Sequence, residues 1–168
     1  MPGQLIIRAP VAADAQRIWR ALPAIGALER NTAYAYVLLC THFASTCVVG
    51  ELGDELAGFA LAYRVPAAPD QLFVWQVGVT PAARGRGVGA RLLDAVVATP
   101  GGRGARWLTA TVTAANQGSQ ALFAGFARRH ALTSTTGPGF AAALFPAPHD
   151  AEPWIQIGPL PAAPEGVS

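Results

Sequence analysis

The stretch "RGRGVGARLLDAVV", Arg84 to Val97, constrains this chain more than any other. Gly85, Gly87 and Gly89 are interleaved with arginines and pass without a break into an apolar, helix-forming segment, and the β-rich run "QLFVWQVGV" comes shortly before them. A strand that ends in glycine-rich backbone and enters a helix points free N–H groups and the positive end of the helix dipole at one place, which attracts phosphate. Glycine permits the positive φ and close backbone approach such a turn needs, and Arg84, Arg86 and Arg91 can add charge-assisted hydrogen bonds. A Walker loop is excluded because its Lys-Ser/Thr pair is missing. A Rossmann fingerprint is excluded because the turn follows three antiparallel-looking runs instead of opening a βαβ unit. What remains is a pyrophosphate site at a helix start.

The rest of the chain must supply a domain around that turn. Its 168 residues suffice for one compact domain with a sizeable core. The formal charge of +2 is carried mainly by scattered arginines, so no basic stripe points to nucleic acid. No apolar run approaches the roughly 18 residues of a membrane span, and "MPGQLIIRAP" has no secretory-signal pattern, so a cytoplasmic protein is expected. Cys40 and Cys47 fit no metal spacing and no disulfide framework; they read as buried thiols of a reducing compartment.

Along the chain, "QLIIRAP" predicts a strand and "VAADAQRIWRALPAI" a helix opened near Asp14. "NTAYAYVLLCTHF" predicts a second helix opened by Asn31 or Thr32, although its β-branched content leaves a strand open. Three β-rich runs follow, "TCVVGEL", "LAGFALAYRV" and "QLFVWQVGV", the first pair joined by a hairpin turn and the second by a longer loop, "PAAPDQ". After the turn and its helix come strand "ARWLTATVT", helix "QGSQALFAGFARRH", a poorly patterned Gly/Ala/Pro-rich segment and strand "PWIQIGPL". The pattern describes one mixed α/β domain over residues 1–160, with no second hydrophobic centre, and a disordered tail over 161–168.

The strand, loop and helix around Arg84 resemble the Gcn5-related N-acetyltransferase superfamily, whose acetyl-CoA motif, Gln/Arg-x-x-Gly-x-Gly/Ala, is matched by Arg84 to Gly89. The resemblance implies a single-domain fold, a mixed and mostly antiparallel twisted sheet flanked by helices. It further implies that the backbone N–H groups of Arg84, Gly85, Arg86, Gly87, Val88, Gly89 and Ala90 hold the CoA pyrophosphate. A bulge would splay "VWQVGV" from "WLTATVT", so that Val77 and Val79 meet pantetheine through their backbones, with Asn116 and Ser119 of "TAANQGSQALF" near the CoA arm. Where many members carry a tyrosine that protonates the leaving thiolate, this chain has Phe123.

A closer resemblance runs from about Ile7 to Leu160. "LERNTAYAYVLLCTHFASTCVV", "TVTAANQGSQALF" and the terminal "HDAEPWIQIGPL" are similar to the L-2,4-diaminobutyrate acetyltransferase family of ectoine biosynthesis. That resemblance implies acetyl-CoA as co-substrate, no metal, transfer to the γ-amine of a small diamino acid, and a homodimer. A substrate with two ammonium groups needs negative charge and an aromatic face; Glu29, Glu152, Trp75 and Tyr34 supply them. Glu152, as proton acceptor or electrostatic guide, and Tyr34, as a hydroxyl for the substrate or the thiolate, are the catalytic candidates, with His149 placed to orient Glu152. Glu29 stands where the family usually has aspartate, and Gln156 where it often has a basic residue. Alternation along the strand sends the Trp75 indole to the face opposite Val74 and Gln76. The residues alone leave two other classes open: transfer to another diamine or a protein N-terminus, and an acyl-CoA-binding module without turnover.

Overall fold

A computed structural model describes residues 3–26 and 28–162. Within it a seven-stranded sheet in the order β1-β2-β3-β4-β5-β7-β6 carries helices on both faces. The elements are β1 (Leu5–Arg8), α1 (Asp14–Ile25), α2 (Ala33–Thr41), β2 (Val48–Leu52), β3 (Glu55–Val65), β4 (Ala68–Val79), α3 (Val88–Ala98), β5 (Trp107–Thr111), α4 (Gln117–Arg129), β6 (Thr133–Phe140) and β7 (Glu152–Gly158). All neighbouring strands pair antiparallel except β4 and β5, which are parallel.

Buried apolar side chains form two clusters, not the single centre the pattern implied, because the sheet is covered on both faces. Leu72, Val74, Leu92, Leu108 and Phe126 pack between the sheet and α3 and α4, whereas Ile18, Leu22, Tyr36, Phe59 and Leu61 pack beneath α1 and α2. The segment "NTAYAYVLLCTHF" settles as a helix with Thr32 at the N-cap position, its side chain making no capping hydrogen bond, and with Tyr36, Leu39 and Cys40 turned to the core. The β2–β3 turn at Gly53 and Asp54 is the expected hairpin, with Gly53 at φ 62°.

Two expectations need correction. The β3–β4 connection is a tight turn at Pro66 and Ala67, and "APDQ" belongs to β4, where Arg64 Nη1 donates to the Pro69 carbonyl at 2.6 Å. The segment after α4 also contains a strand, β6, that sequence periodicity did not reveal. It is an edge strand paired only with β7 and exposed along nearly its whole length, so it needs no apolar alternation, and the register shift around Pro138 and Gly139 is tolerated at an edge. The expected tail, 161–168, lies outside the described residues from 163 onward.

On the β1 side, Asp14 at the start of α1 is 1% exposed and is held by Arg8 at 2.7 Å, Arg17 at 3.0 Å and the Val11 N–H at 2.8 Å. Glu51 of β2 receives the same two arginines at 2.7 and 2.6 Å. Burial alone would raise the Asp14 pKa, but these hydrogen bonds outweigh it and hold the carboxyl below its usual range.

Candidate active site

The site begins where β4 and β5 part. They pair only from Gln71↔Trp107 to Phe73↔Thr109, so from Val74 onward the β4 edge is open on that side. A bulge accompanies the parting: against β3, Val74 lies opposite Ala62 and Gln76 opposite Leu61, leaving Trp75 as the extra residue. The bulge resets the alternation. Val74 and Val77 stay in the α3/α4 core, whereas Trp75 and Gln76 both meet Tyr36 on the α1/α2 side: the rings of Trp75 and Tyr36 lie 5.5 Å apart, and the Tyr36 hydroxyl donates to Gln76 Oε1 at 3.0 Å. The expectation that Trp75 and Gln76 face opposite ways is therefore wrong, because strict alternation does not survive a bulge.

Two cavities open on either side of the parted strands. The first, about 460 Å³, runs between β4 and α4 and is lined by Val77, Gly78, Val79, Gly89, Ser119 and Leu122, among others. It ends at the start of α3, where the backbone N–H groups from Gly85 to Ala90 have no backbone acceptor among the described residues. Gly85 and Gly87 turn this loop at φ 72° and 71°. This unpaired row fits a diphosphate at a helix N-terminus. The row starts one residue later than expected, since the Arg84 N–H donates to the Pro81 carbonyl at 3.3 Å.

The arginines of the turn do not act as a group. Arg84 donates to the Ile25 carbonyl at 2.7 Å, clasping the C-terminus of α1, where the helix dipole favours a cation. Arg91 reaches the Leu5 carbonyl at 3.4 Å, and Arg86 makes no side-chain hydrogen bond or ion pair among the described residues. Asn116 is the N-cap of α4, its Oδ1 accepting from the Ser119 N–H at 3.1 Å, and it lines the groove as well.

The second cavity, about 500 Å³, holds the expected acceptor residues Glu29, Trp75, His149 and Glu152, with Tyr63, Phe73, Phe140 and Phe145 forming much of its apolar wall. Glu152 is anchored by the Thr111 hydroxyl, which donates to Oε2 at 2.5 Å. His149 stacks on Phe145 with ring centroids 3.9 Å apart, and its Nε2 lies 3.6 Å from Glu29 and 3.7 Å from Glu152. A neck of about 50 Å³ lies between the two cavities, sharing lining residues with each, and is walled by Trp75, Val77, Thr111 and Phe123. Leu28 and Asn116 line all three spaces.

Tyr34 is not in this arrangement: it is 70% exposed and lines none of these spaces. Two residues on, about 200° around the helix, Tyr36 is the tyrosine that faces the sheet. Gln76, Tyr36, Thr111 and Leu28 are the participants the sequence reading missed. A glutamine inside an otherwise apolar strand was the one available signal. Its orientation follows from chemistry: the Glu29 carbonyl can only accept, so the Gln76 amide nitrogen faces it, at 2.8 Å. Trp19 holds the same segment by donating to the Asn31 carbonyl at 3.1 Å.

Known proteins share this architecture. A family model described as the acetyltransferase (GNAT) family matches residues 14–126. L-2,4-diaminobutyric acid acetyltransferases are similar over most of the chain: that of Nocardia farcinica is 39% identical over 94% of this chain and 82% of its own length, and that of Streptomyces avermitilis 40% identical over 95% and 91%. The solved structure of the diaminobutyrate acetyltransferase EctA from Paenibacillus lautus, in complex with its substrate L-2,4-diaminobutyric acid and coenzyme A, superposes with a TM-score of 0.89 at 34% identity, covering 94% of this chain and 96% of that one. The ribosomal-protein-S18-alanine N-acetyltransferase of Escherichia coli, at 18% identity and TM-score 0.67, shares the fold alone. With its parted strands, its row of unpaired N–H groups at a helix start and these relatives, the chain belongs to the GNAT acetyltransferases, in the diaminobutyrate acetyltransferase family.

Proposed function

We propose that this enzyme transfers the acetyl group of acetyl-CoA to the γ-amine of L-2,4-diaminobutyrate, giving Nγ-acetyl-2,4-diaminobutyrate for cyclisation to ectoine. The observation that carries the proposal is the meeting of a pyrophosphate-type groove and a carboxylate-lined cavity at one neck beside the bulged strand. Pantetheine extends along the open edge of β4 past Val77 and Val79 and brings the thioester to the neck. Glu29 and Glu152 draw the ammonium to the other side, and Trp75 offers it a ring face. Unpaired backbone N–H groups beside the bulge polarise the thioester carbonyl.

Transfer is direct, within a ternary complex. Both cysteines are buried and free, and burial pushes their thiols up, Cys40 to about 12 and Cys47 to about 11, so neither presents a thiolate to carry an acyl group near neutrality. Phe123 on the neck supplies no proton, and the CoA thiolate, an intrinsically good leaving group, departs without a tyrosine beside it.

A homodimer in the cytoplasm completes the proposal. Tyr34, Val37 and Phe43 on and just after α2 are exposed apolar groups that a second copy would cover, and two reduced thiols suit a reducing compartment. Light scattering of the purified enzyme tests the dimer. The activity is tested by acetyl-CoA-dependent thiol release with L-2,4-diaminobutyrate beside ornithine, lysine and spermidine, with the acetylated nitrogen identified by NMR. Turnover restricted to diaminobutyrate and acetylation at Nγ are expected; faster turnover of another amine would reassign the acceptor.

A further inference from the structure

We propose that the group removing the proton from the acceptor ammonium is His149, with Glu152 and Glu29 serving as its charged frame. The inference rests on the acetyltransferase reading above and deepens it. His149 Nδ1 lies 2.6 Å from the Asp150 carbonyl oxygen, which can only accept, so Nδ1 carries the hydrogen and Nε2 of the neutral ring is a lone pair. The stack on Phe145 fixes the ring plane, and the side chain is only 15% exposed.

Nε2 points into the acceptor cavity between two carboxylates, 3.6 Å from Glu29 Oε2 and 3.7 Å from Glu152 Oε1. Those separations are too long for hydrogen bonds between the groups themselves. They leave three acceptors facing one space, and an ammonium brings three hydrogens to it. The three acceptors differ in what they can do with a proton. Imidazole is the side chain that most often takes a proton from a reacting group, and here its free lone pair is the one held in a fixed ring plane. Glu152 is further occupied, because its second oxygen already accepts from Thr111. The other ionisable group on the cavity wall is the Tyr63 phenol, which burial pushes upward and keeps neutral.

The proton balance closes. An N–H bond of the ammonium breaks and Nε2–H forms, and the freed lone pair attacks the thioester carbonyl carbon. The adduct then collapses: the C–S bond breaks with its electrons going to sulfur, and the second proton lost by the nitrogen goes to that sulfur. The imidazolium, stabilised between Glu29 and Glu152, returns its proton to water at the cavity mouth.

The test combines His149→Gln, His149→Ala and Glu152→Gln with diaminobutyrate turnover as a function of pH. His149→Gln is expected to lower kcat by about 100-fold or more while leaving the KM for acetyl-CoA in place. Added imidazole is expected to accelerate His149→Ala in proportion to its free-base concentration, which a purely structural histidine would not allow. Glu152→Gln is expected to act mainly through a raised KM for the diamine. The proposal is overturned if His149→Gln keeps kcat within about threefold of the parent, well short of the usual general-base effect, if imidazole has no effect on His149→Ala, or if Glu152→Gln abolishes kcat and His149→Gln does not. Absence of turnover by the unmodified enzyme with every diamine would refute the acetyltransferase reading along with it.

Discussion

Replacing Gln76 with leucine keeps side-chain volume but cuts both of its hydrogen bonds, one to the Tyr36 hydroxyl at 3.0 Å and one to the Glu29 carbonyl at 2.8 Å. The Tyr36 side chain is completely buried, so its hydroxyl loses its acceptor where water cannot replace it; such a loss costs about 1–3 kcal/mol. For a chain of this size that corresponds to a fall in Tm of roughly 2–12 °C. Tyr36→Phe should be destabilising too, because it leaves Gln76 Oε1 without its donor. The double variant Tyr36→Phe, Gln76→Leu should be more stable than the sum of the two predicts, since removing both ends strands neither group. Urea unfolding followed by tryptophan fluorescence measures all four corners of this cycle. Additivity within about 0.5 kcal/mol would refute the argument that the pair is coupled. The second lost bond has a kinetic signature: the segment carrying Glu29 loses its tie to β4, so the KM for the diamine rises while CoA affinity holds.

Acid should destabilise the fold through the cluster at β1, α1 and β2. Hydrogen bonds from Arg8 and Arg17 lower the Glu51 pKa, and those from Arg8, Val11 and Arg17 lower that of Asp14 against the opposing effect of burial, so both contributions are present above the unfolded-state carboxylate range and are lost as pH falls through the depressed values. Tm measured from pH 6 down to about pH 3 should fall, and less steeply in Asp14→Asn, whose baseline is already lower. Gly58→Ala should lower stability by about 1–3 kcal/mol or more, because a Cβ there would lie 2.6 Å from the Gly78 carbonyl oxygen, which the sheet cannot move aside. Gly87→Ala has open space but a φ of 71°; it should cost about 1–2 kcal/mol in thermal unfolding and weaken CoA binding measured by calorimetry.

How much was legible in the sequence follows from where the information sits. The glycine turn, α3 and the central strands are local patterns, and they could be read directly. β6 could not, because an exposed edge strand has no buried face to impose alternation, and "TSTTGPGF" consequently resembles a loop. The two tyrosines of "AYAY" show the same limit: their spacing says that they face different ways, but only the packing of α2 against Trp75 and Phe59 determines which one is inside. Glu29, Trp75, His149 and Glu152 were recognised by type and motif, while their convergence depends on contacts between segments more than 40 residues apart, such as Gln76 with Glu29. The role of the Arg84 side chain was misread because a cation beside a phosphate-type turn suits the ligand as well as it suits a helix end.

The bulge at Trp75 makes residue count a variable in its own right. Upstream and downstream of it β4 runs in two different phases, both locked to the same neighbour, β3. Deleting the extra residue would merge the two phases into one plain alternation, with Gln76 and Val77 still opposite Leu61 and Ala60, whereas a one-residue insertion or deletion that the bulge does not absorb would exchange the faces of everything on one side. No substitution has that reach, since each changes one side chain and leaves the phase intact. Among functional relatives, length from Phe73 to the glycine turn should therefore vary less than the residues that fill it, and a scan of single deletions would reveal a constraint to which alanine scanning is blind.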